Sequence, residues 1–279
     1  MRLRNRIQIK TDDQIRTMRR AGLVVAEGLA EMVAAAVPGA TTGELDQIGR
    51  DVIARHGATS NFLGYGAEWG IAPYPGVACI SVNEVIVHGI PGERVLKDGD
   101  IVSIDYGAIL DGWHGDAART ALVGEVSDEV RELSEHTRES MWAGISQITP
   151  GARIGDISAA VELSLESHEH PYGNIRDYTG HGIGTEMHME PDVPNWGRAH
   201  RGPRITTGMC LCVEPMATLG DEENVTLDDD WTVQTLDGSW SSHWENTVAV
   251  TEKGLWILTE PDGGEAELTA RGVPFGPLD

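Results

Sequence analysis

Five residues carry the chemistry that this sequence could perform: Asp105, Asp116, Glu214, Glu245 and His181. Asp105 ends the apolar run Ile101-Val102-Ser103-Ile104, and Asp111-Gly112 follows as a strong two-residue hairpin signal. With those two as the turn, Leu110 faces Trp113 and Gly107 faces Asp116, which puts Asp105 diagonal to Asp116 on one face. Two like charges held that close repel unless a proton or a cation sits between them. Two solvated acids on the wet face of an antiparallel sheet would read the same way from this hairpin alone. Glu214 is harder to explain as surface, because its flanks Leu211-Cys212-Val213 and Pro215-Met216-Ala217 are apolar, and a buried carboxylate needs a partner. Glu245 stands in the strand-like run Trp244-Glu245-Asn246-Thr247-Val248-Ala249-Val250. His181 lies in Gly180-His181-Gly182-Ile183-Gly184, where glycines permit close backbone approach. A lone histidine in such a loop is more often hydrogen-bonded structure than ligand, and no helix-opening fingerprint marks the loop as a phosphate cradle. Together, four carboxylates and one imidazole suit a pair of divalent ions such as Mn, Fe, Co or Zn. Two such ions can activate a shared water for hydrolysis. A structural zinc site would need closely spaced Cys and His ligands, which the chain lacks.

Helices and strands must bring these residues together. Ile15, Met18, Gly22, Val25, Leu29, Met32 and Ala36 recur at three- and four-residue steps, predicting an amphipathic helix that opens at a Thr11/Gln14 capping box and ends at Pro38-Gly39. Thr41 and Glu44 open a second, with Leu45, Ile48 and Val52 inward and a stop at Gly57. Ser127 opens a third, carrying Val130, Leu133, Met141, Ile145 and Ile148, and Pro150-Gly151 stops it; Asp156 or a neighbour opens a fourth with Ile157 and Val161. The two helix pairs share a linker pattern, Pro38-Gly39-Ala40 matching Pro150-Gly151-Ala152. His88-Gly89-Ile90 recurs as His181-Gly182-Ile183, and the run Gly99 to Asp105 lines up with Gly208 to Glu214. This internal repeat predicts an α+β fold built from a duplicated unit of two helices and antiparallel strands, with Asp105 and Glu214 at related positions. Residues 1–260 are read as one domain and the Pro- and Gly-rich residues 261–279 as a loose tail.

Composition narrows the rest. A net charge of −23 argues against a nucleic-acid partner. No apolar run reaches the roughly 18 residues of a membrane span. The basic Met1 to Lys10 leads into no apolar signal segment, so a cytoplasmic protein is expected. Cys79, Cys210 and Cys212 are too few for a disulfide framework. The last pair would lie roughly 6.5–7 Å apart on one strand face, a poor geometry for a bridge, so reduced buried thiols are expected.

The motifs, taken in order, resemble those of the type I methionine aminopeptidases. They are Ser81-Val82-Asn83-Glu84-Val85-Ile86-Val87-His88-Gly89-Ile90-Pro91, Ile104-Asp105-Tyr106-Gly107, His114-Gly115-Asp116, Gly180-His181-Gly182-Ile183-Gly184, Met187-His188-Met189-Glu190-Pro191, Val213-Glu214-Pro215-Met216 and Trp244-Glu245-Asn246-Thr247. Order and intervals agree over roughly residues 12 to 258. The resemblance implies the pita-bread fold, an antiparallel sheet flanked by two helix pairs with internal pseudo-two-fold symmetry. It implies Asp105 as a chelating ligand of one metal, Asp116 and Glu245 as bridges, and His181 with Glu214 completing the other. It further implies removal of the initiator methionine from nascent chains when the next residue is small. A metal-bridged hydroxide would attack the first carbonyl with Glu214 as proton shuttle, His188 would stabilise the oxyanion, and His88 would sit near the amide nitrogen. The free α-amine would bind a metal. Tyr65, Tyr74, Cys79, Met187 and Trp231 fall at positions resembling the family's methionine pocket, although ordinary core packing would read alike. A monomer is favoured, and ribosome docking, if it occurs, would use the catalytic domain itself.

Two departures stand out. Gly66 to Pro73 forms an insertion between Tyr65 and Tyr74, beside the expected pocket, and Asn246 replaces the histidine that usually follows the bridging glutamate. Two other readings remain. Prolidase and aminopeptidase P share the ligand set but usually carry a large N-terminal domain. A metal-free binding module of the same fold should have lost ligands, and here all five stand in place.

Overall fold

The computed structural model describes residues 7–168 and 171–278. Residues 1–6 of the basic N-terminal stretch therefore lie outside the described residues. Helix α1 (Asp12–Ala35) starts where the Thr11 hydroxyl accepts the Gln14 N–H and the Gln14 side chain accepts the Thr11 N–H, the expected reciprocal cap. Its face of Ile15, Met18, Val25, Leu29 and Met32 is buried, and Ala36 lies one residue past its end. Helix α2 (Thr42–His56) repeats the device with Thr41 and Glu44 and ends at Gly57, whose φ of 61° suits glycine. Helix α3 (Asp128–Ile145) is capped by Ser127; Ile148, read as part of it, falls beyond its end but is still buried. Helix α4 (Ile154–Glu166) begins before Asp156, which instead reaches back to accept the Arg153 N–H at 2.8 Å.

In the first half, the strand Ile101–Leu110 pairs with Trp113–Leu122 in the register expected, Leu110 opposite Trp113 and Gly107 opposite Asp116. The turn residues Asp111 and Gly112 have φ of 50° and 77°, the left-handed pair that matches strand twist. On its other edge Ile101–Leu110 takes Ala78–Val82, with Cys79 opposite Asp105. In the second half, a five-stranded sheet runs in the order Leu255–Ile257, Asn246–Val250, Cys210–Val213, Gly180–Gly182, Met189–Val193. Helices α1 and α2 share a core with the first hairpin through Val25, Leu29, Met32, Leu45, Ile104 and Tyr106. Helices α3 and α4 share another with the second sheet through Leu133, Trp142, Ile157, Leu211, Val213 and Val248. The repeat is also visible in the backbone: Gly39 and Gly151 have φ of 97° and 96°, and Gly99 and Gly208, which open the matching strands, 94° and 87°. This is the pita-bread arrangement.

The halves meet closely. Gly22 of α1 packs against Leu258 and against Gly115, next to Asp116, and a methyl group on either glycine would run into backbone. The segment read as a loose tail is ordered instead through residue 278. Glu265–Ala270 forms helix α5, Leu268 is fully buried, and Phe275 bridges Leu255 in parallel. The Leu255 N–H donates to Pro274 and the Gly276 N–H to Leu255, at 2.9 and 2.8 Å. Leu268, Val273 and Phe275 provide enough apolar surface to anchor a short segment whose glycines and prolines serve as its turns. No helix among the described residues is long and apolar enough to cross a membrane.

Candidate metal centre

Strand geometry places the five expected residues around one cavity. Asp105 and Asp116 come from the two arms of the hairpin, diagonal across its register. Glu214 directly follows Cys210–Val213 and Glu245 directly precedes Asn246–Val250. Val213 pairs with Asn246, and Met216 with His243, in one continuous register. Residues 214 and 245 therefore lie opposite each other where the ladder is interrupted at Pro215. His181 is central in Gly180–Gly182, so it belongs to a short strand and not to a loop. Its Nδ1 donates to the Gly182 carbonyl at 3.0 Å, which leaves Nε2 facing Glu214 Oε1 at 3.4 Å.

Ligand atoms of Asp105, Asp116 and Glu245 lie within 4.8 Å of one another, and so do those of His181, Cys212 and Glu245. Asp105, Asp116, His181, Glu214 and Glu245 line a cavity of ≈ 270 Å³ together with His88, His188, Tyr65, Tyr74, Cys79, Met187 and Trp231. Among the described residues, Asp105 Oδ1, Asp116 Oδ1 and Glu245 Oε1 are buried without a hydrogen-bond partner. Unpaired buried carboxylate oxygens are costly, and divalent cations are the partners that fit this donor set.

The electrostatics agree. Burial and then the charges of Glu245 and Asp105 hold Asp116 well above the usual carboxylate range; burial and then Glu214 and Asp105 do the same to Glu245. Burial pushes Glu214 up to about 8, and it pushes Asp105 up to about 7 against the opposing influence of His243. Burial lowers His181 to about 3 and His88 to about 4, with His188 adding to both, so these imidazoles are neutral and able to donate a lone pair.

The two further histidines are held differently. His88 adopts a left-handed φ of 57° and stands edge-on to Tyr178, ring centres 5.3 Å apart. His188 sits 4.4 Å from the His181 ring, with Nδ1 2.6 Å from the Tyr65 hydroxyl. Tyr74, Cys79, Met187 and Trp231 pack into one apolar cluster, with Tyr65 against it. The five expected ligands, the two histidines and the five expected pocket residues thus line one cavity.

The structure adds others. Phe62 completes the apolar cluster, and Trp69 of the insertion lines the cavity, 5.0 Å from the Tyr65 ring. The insertion is fastened by Trp231, whose indole N–H donates to the Ala72 carbonyl at 2.7 Å. Cys212, read only as a buried thiol, is also a neighbour of His181 and Glu245, and its sulfur lies 3.4 Å from the Thr247 hydroxyl. His243 lies two residues before Glu245, and strand alternation could have placed it on the same side. Asn246, on the other side, accepts from Arg119 and from the Thr259 hydroxyl, each at 2.8 Å, while Arg119 also donates to the Glu245 carbonyl. Asn246 therefore anchors the backbone of Glu245 and does not face the cations' space.

A cavity that collects unpaired acids around a neutral imidazole, with two more histidines and an apolar recess beside it, defines a metal-dependent hydrolase. Residues 16–252 match Metallopeptidase family M24. The chain belongs to this family, in its methionine aminopeptidase branch. It is 47% identical to the methionine aminopeptidase of Clostridium acetobutylicum, over 91% of this chain and 98% of that protein. It is 48% identical to methionine aminopeptidase 1 of Mycobacterium tuberculosis, over 92% and 97%. The crystal structure of the Rickettsia prowazekii methionine aminopeptidase superposes with a TM-score of 0.87 at 39% identity, covering 91% of this chain and all of that one. The prolidase from Pyrococcus furiosus shares the fold, with a TM-score of 0.70 at 20% identity, but this chain covers only 65% of it.

Proposed function

We propose that this methionine aminopeptidase removes the initiator methionine from nascent chains in the cytosol when the second residue is small, and that it works as a monomer with two divalent ions. The observation that carries this reading is the single cavity in which Asp105, Asp116, His181, Glu214 and Glu245 meet His88 and His188 beside an apolar recess. Asp105 would hold one ion, His181 and Glu214 the other, and Asp116 and Glu245 would bridge them. Bound ions of Co, Mn, Fe or Zn would activate a water and polarise the first carbonyl.

The protein's own groups do the rest. Glu214, whose burial raises its proton affinity into the neutral range, accepts a proton from the water and passes it on. With the Tyr65 hydroxyl donating to Nδ1, His188 keeps its proton on Nε2 and directs it at the developing oxyanion. His88 lies near the departing amide nitrogen. Tyr74, Cys79, Met187, Trp231 and Phe62 surround the methionine side chain, whose thioether favours aromatic and sulfur contacts. If the enzyme docks on the ribosome, its acidic surface must do so through protein contacts.

A peptide panel, Met-X-Ser with varied X and X-Pro controls, run against separate metals after chelation, tests this. Met-Ala-Ser should be cleaved and X-Pro peptides should not. Asp116→Ala and Glu245→Ala should each abolish cleavage and metal uptake. An alanine variant fully active after metal stripping and refilling would sink the assignment.

A further inference from the structure

We infer that His243 is a positioning residue that holds Glu214 in place for the cation pair. This rests on the proposed function and goes beyond the ligand set by adding a nitrogen donor behind it. His243 is only 2% exposed, and its Nε2 is buried with no hydrogen-bond partner among the described residues. The group it faces is Glu214: Nε2 lies 3.6 Å from Oε2, while Glu214 Oε1 lies 3.4 Å from His181 Nε2. The carboxylate thus stands between two imidazoles, one for each oxygen.

The backbone that carries the ring is fixed from both halves of the molecule. The His243 N–H donates to the Ser103 hydroxyl at 2.9 Å, and its carbonyl accepts from the Thr120 hydroxyl at 2.8 Å. Ser103 and Thr120 also contact each other at 3.1 Å, and they sit on the two arms that carry Asp105 and Asp116. On the other side, His243 pairs in register with Met216, two residues past Glu214. A ring present only to fill space would not line a cavity with Asp105, Glu214, His181 and His188, as this one does. At 3.6 Å the contact is longer than a hydrogen bond, but a shift of a few tenths of an ångström closes it. An Nε2–H on the far oxygen then leaves the near one free for the ion beside His181. Outer hydrogen-bond partners of this kind set the orientation of a ligating carboxylate, and their loss commonly costs ~10–100-fold in metal affinity or activity.

The test compares full-length wild type with His243→Leu, which keeps volume but loses the donor, and His243→Gln, which keeps an N–H donor. Calorimetric titration of the chelated proteins with Co²⁺ reads metal affinity directly, and Met-Ala-Ser cleavage reads kcat and KM separately. Leucine should weaken the weaker-binding equivalent ~10-fold or more and lower kcat with little change in KM, and glutamine should restore most of both. If the leucine variant does not fold, glutamine against the shorter His243→Asn carries the same comparison of donor reach. Cobalt affinity and kcat equal to wild type in the donor-less variant would overturn the inference alone, as would a glutamine variant as impaired as leucine. A wild type that takes up no divalent ion would overturn the functional reading and this inference with it.

Discussion

His188 shows how one neighbour decides what a ring in the proposed catalytic position can do. An imidazole stabilises an oxyanion only if the nitrogen facing the pocket carries the proton, and that depends on what the other nitrogen accepts. Here the other nitrogen meets the Tyr65 hydroxyl at 2.6 Å. Burial, with Glu68 and Asp116 nearby, pushes that phenol up to about 12, so it keeps its proton across the neutral range and is able to donate it to that nitrogen. Tyr65→Phe should therefore lower kcat by about three- to tenfold, one hydrogen bond's worth, with KM nearly unchanged. His188→Ala should cost about 10²–10³. Steady-state kinetics on Met-Ala-Ser check both, and a Phe variant that raised KM alone would mean that Tyr65 only walls the pocket. At this scale the sequence was readable where an acid interrupted an apolar run, as at Asp105 and Glu214, whereas His181, set among glycines, was singled out through the family resemblance. Phe62, Trp69 and Tyr178 escaped notice because an aromatic residue carries no sign of whether it faces a core or a cavity. The role of His243 was hidden for another reason: what distinguishes it is the lack of a partner for one nitrogen, which only packing reveals.

Asp156 is the counterpart among the elements. Its carboxylate accepts the Arg153 N–H at 2.8 Å and the His200 N–H at 2.7 Å, and His200 Nδ1 lies 2.9 Å away. It thereby closes the start of α4 and clasps it to the loop before Cys210–Val213, the strand that leads into Glu214. Those backbone donors hold its pKa below the usual carboxylate range. A depressed carboxyl stabilises the fold above its unfolded-state pKa and loses that contribution as pH falls through the lower folded value. Asp156→Asn should thus cost about 1–2 kcal/mol at pH 7, and the gap to wild type should close as pH is lowered through the acid range of carboxylates. Denaturant melts of both proteins at a series of pH values provide the measurement; a gap independent of pH would mean that shape and not charge makes the clasp. The sequence announced α1, α2 and α3 through polar caps ahead of periodic apolar faces. It left the start of α4 open because the cap comes from a side chain inside the helix, behind an arginine. Helix α5 was invisible because six residues are too few to show a period, and the Pro and Gly around it suggest disorder when no burial is known.

Across the whole molecule, each half builds its own core and contributes only part of the proposed cation site. Asp105 and Asp116 come from the first hairpin, whereas His181, Glu214 and Glu245 come from the second sheet. Without cations, those acids face each other with unpaired oxygens in a chain whose net charge is already −23. With the proposed ligand set, divalent ions would convert this repulsion into a link between the halves, so binding to the folded state alone should raise stability by mass action. At a concentration ~100 times Kd the gain is about 2.7 kcal/mol, or about 5 °C in Tm for a chain of this size. Chelation should remove the gain and Mn²⁺ or Co²⁺ should return it. Because a highly acidic protein also gains from general screening, the melt must be repeated in monovalent salt of equal ionic strength, which should reproduce little of the shift. A protein carrying both Asp116→Asn and Glu245→Gln should melt at one temperature with or without the divalent ion, since the charges of both proposed bridging residues are gone. Equal metal-induced shifts in that variant and in wild type would mean that the ions act at the acidic surface, and the link between the halves would have to be sought elsewhere.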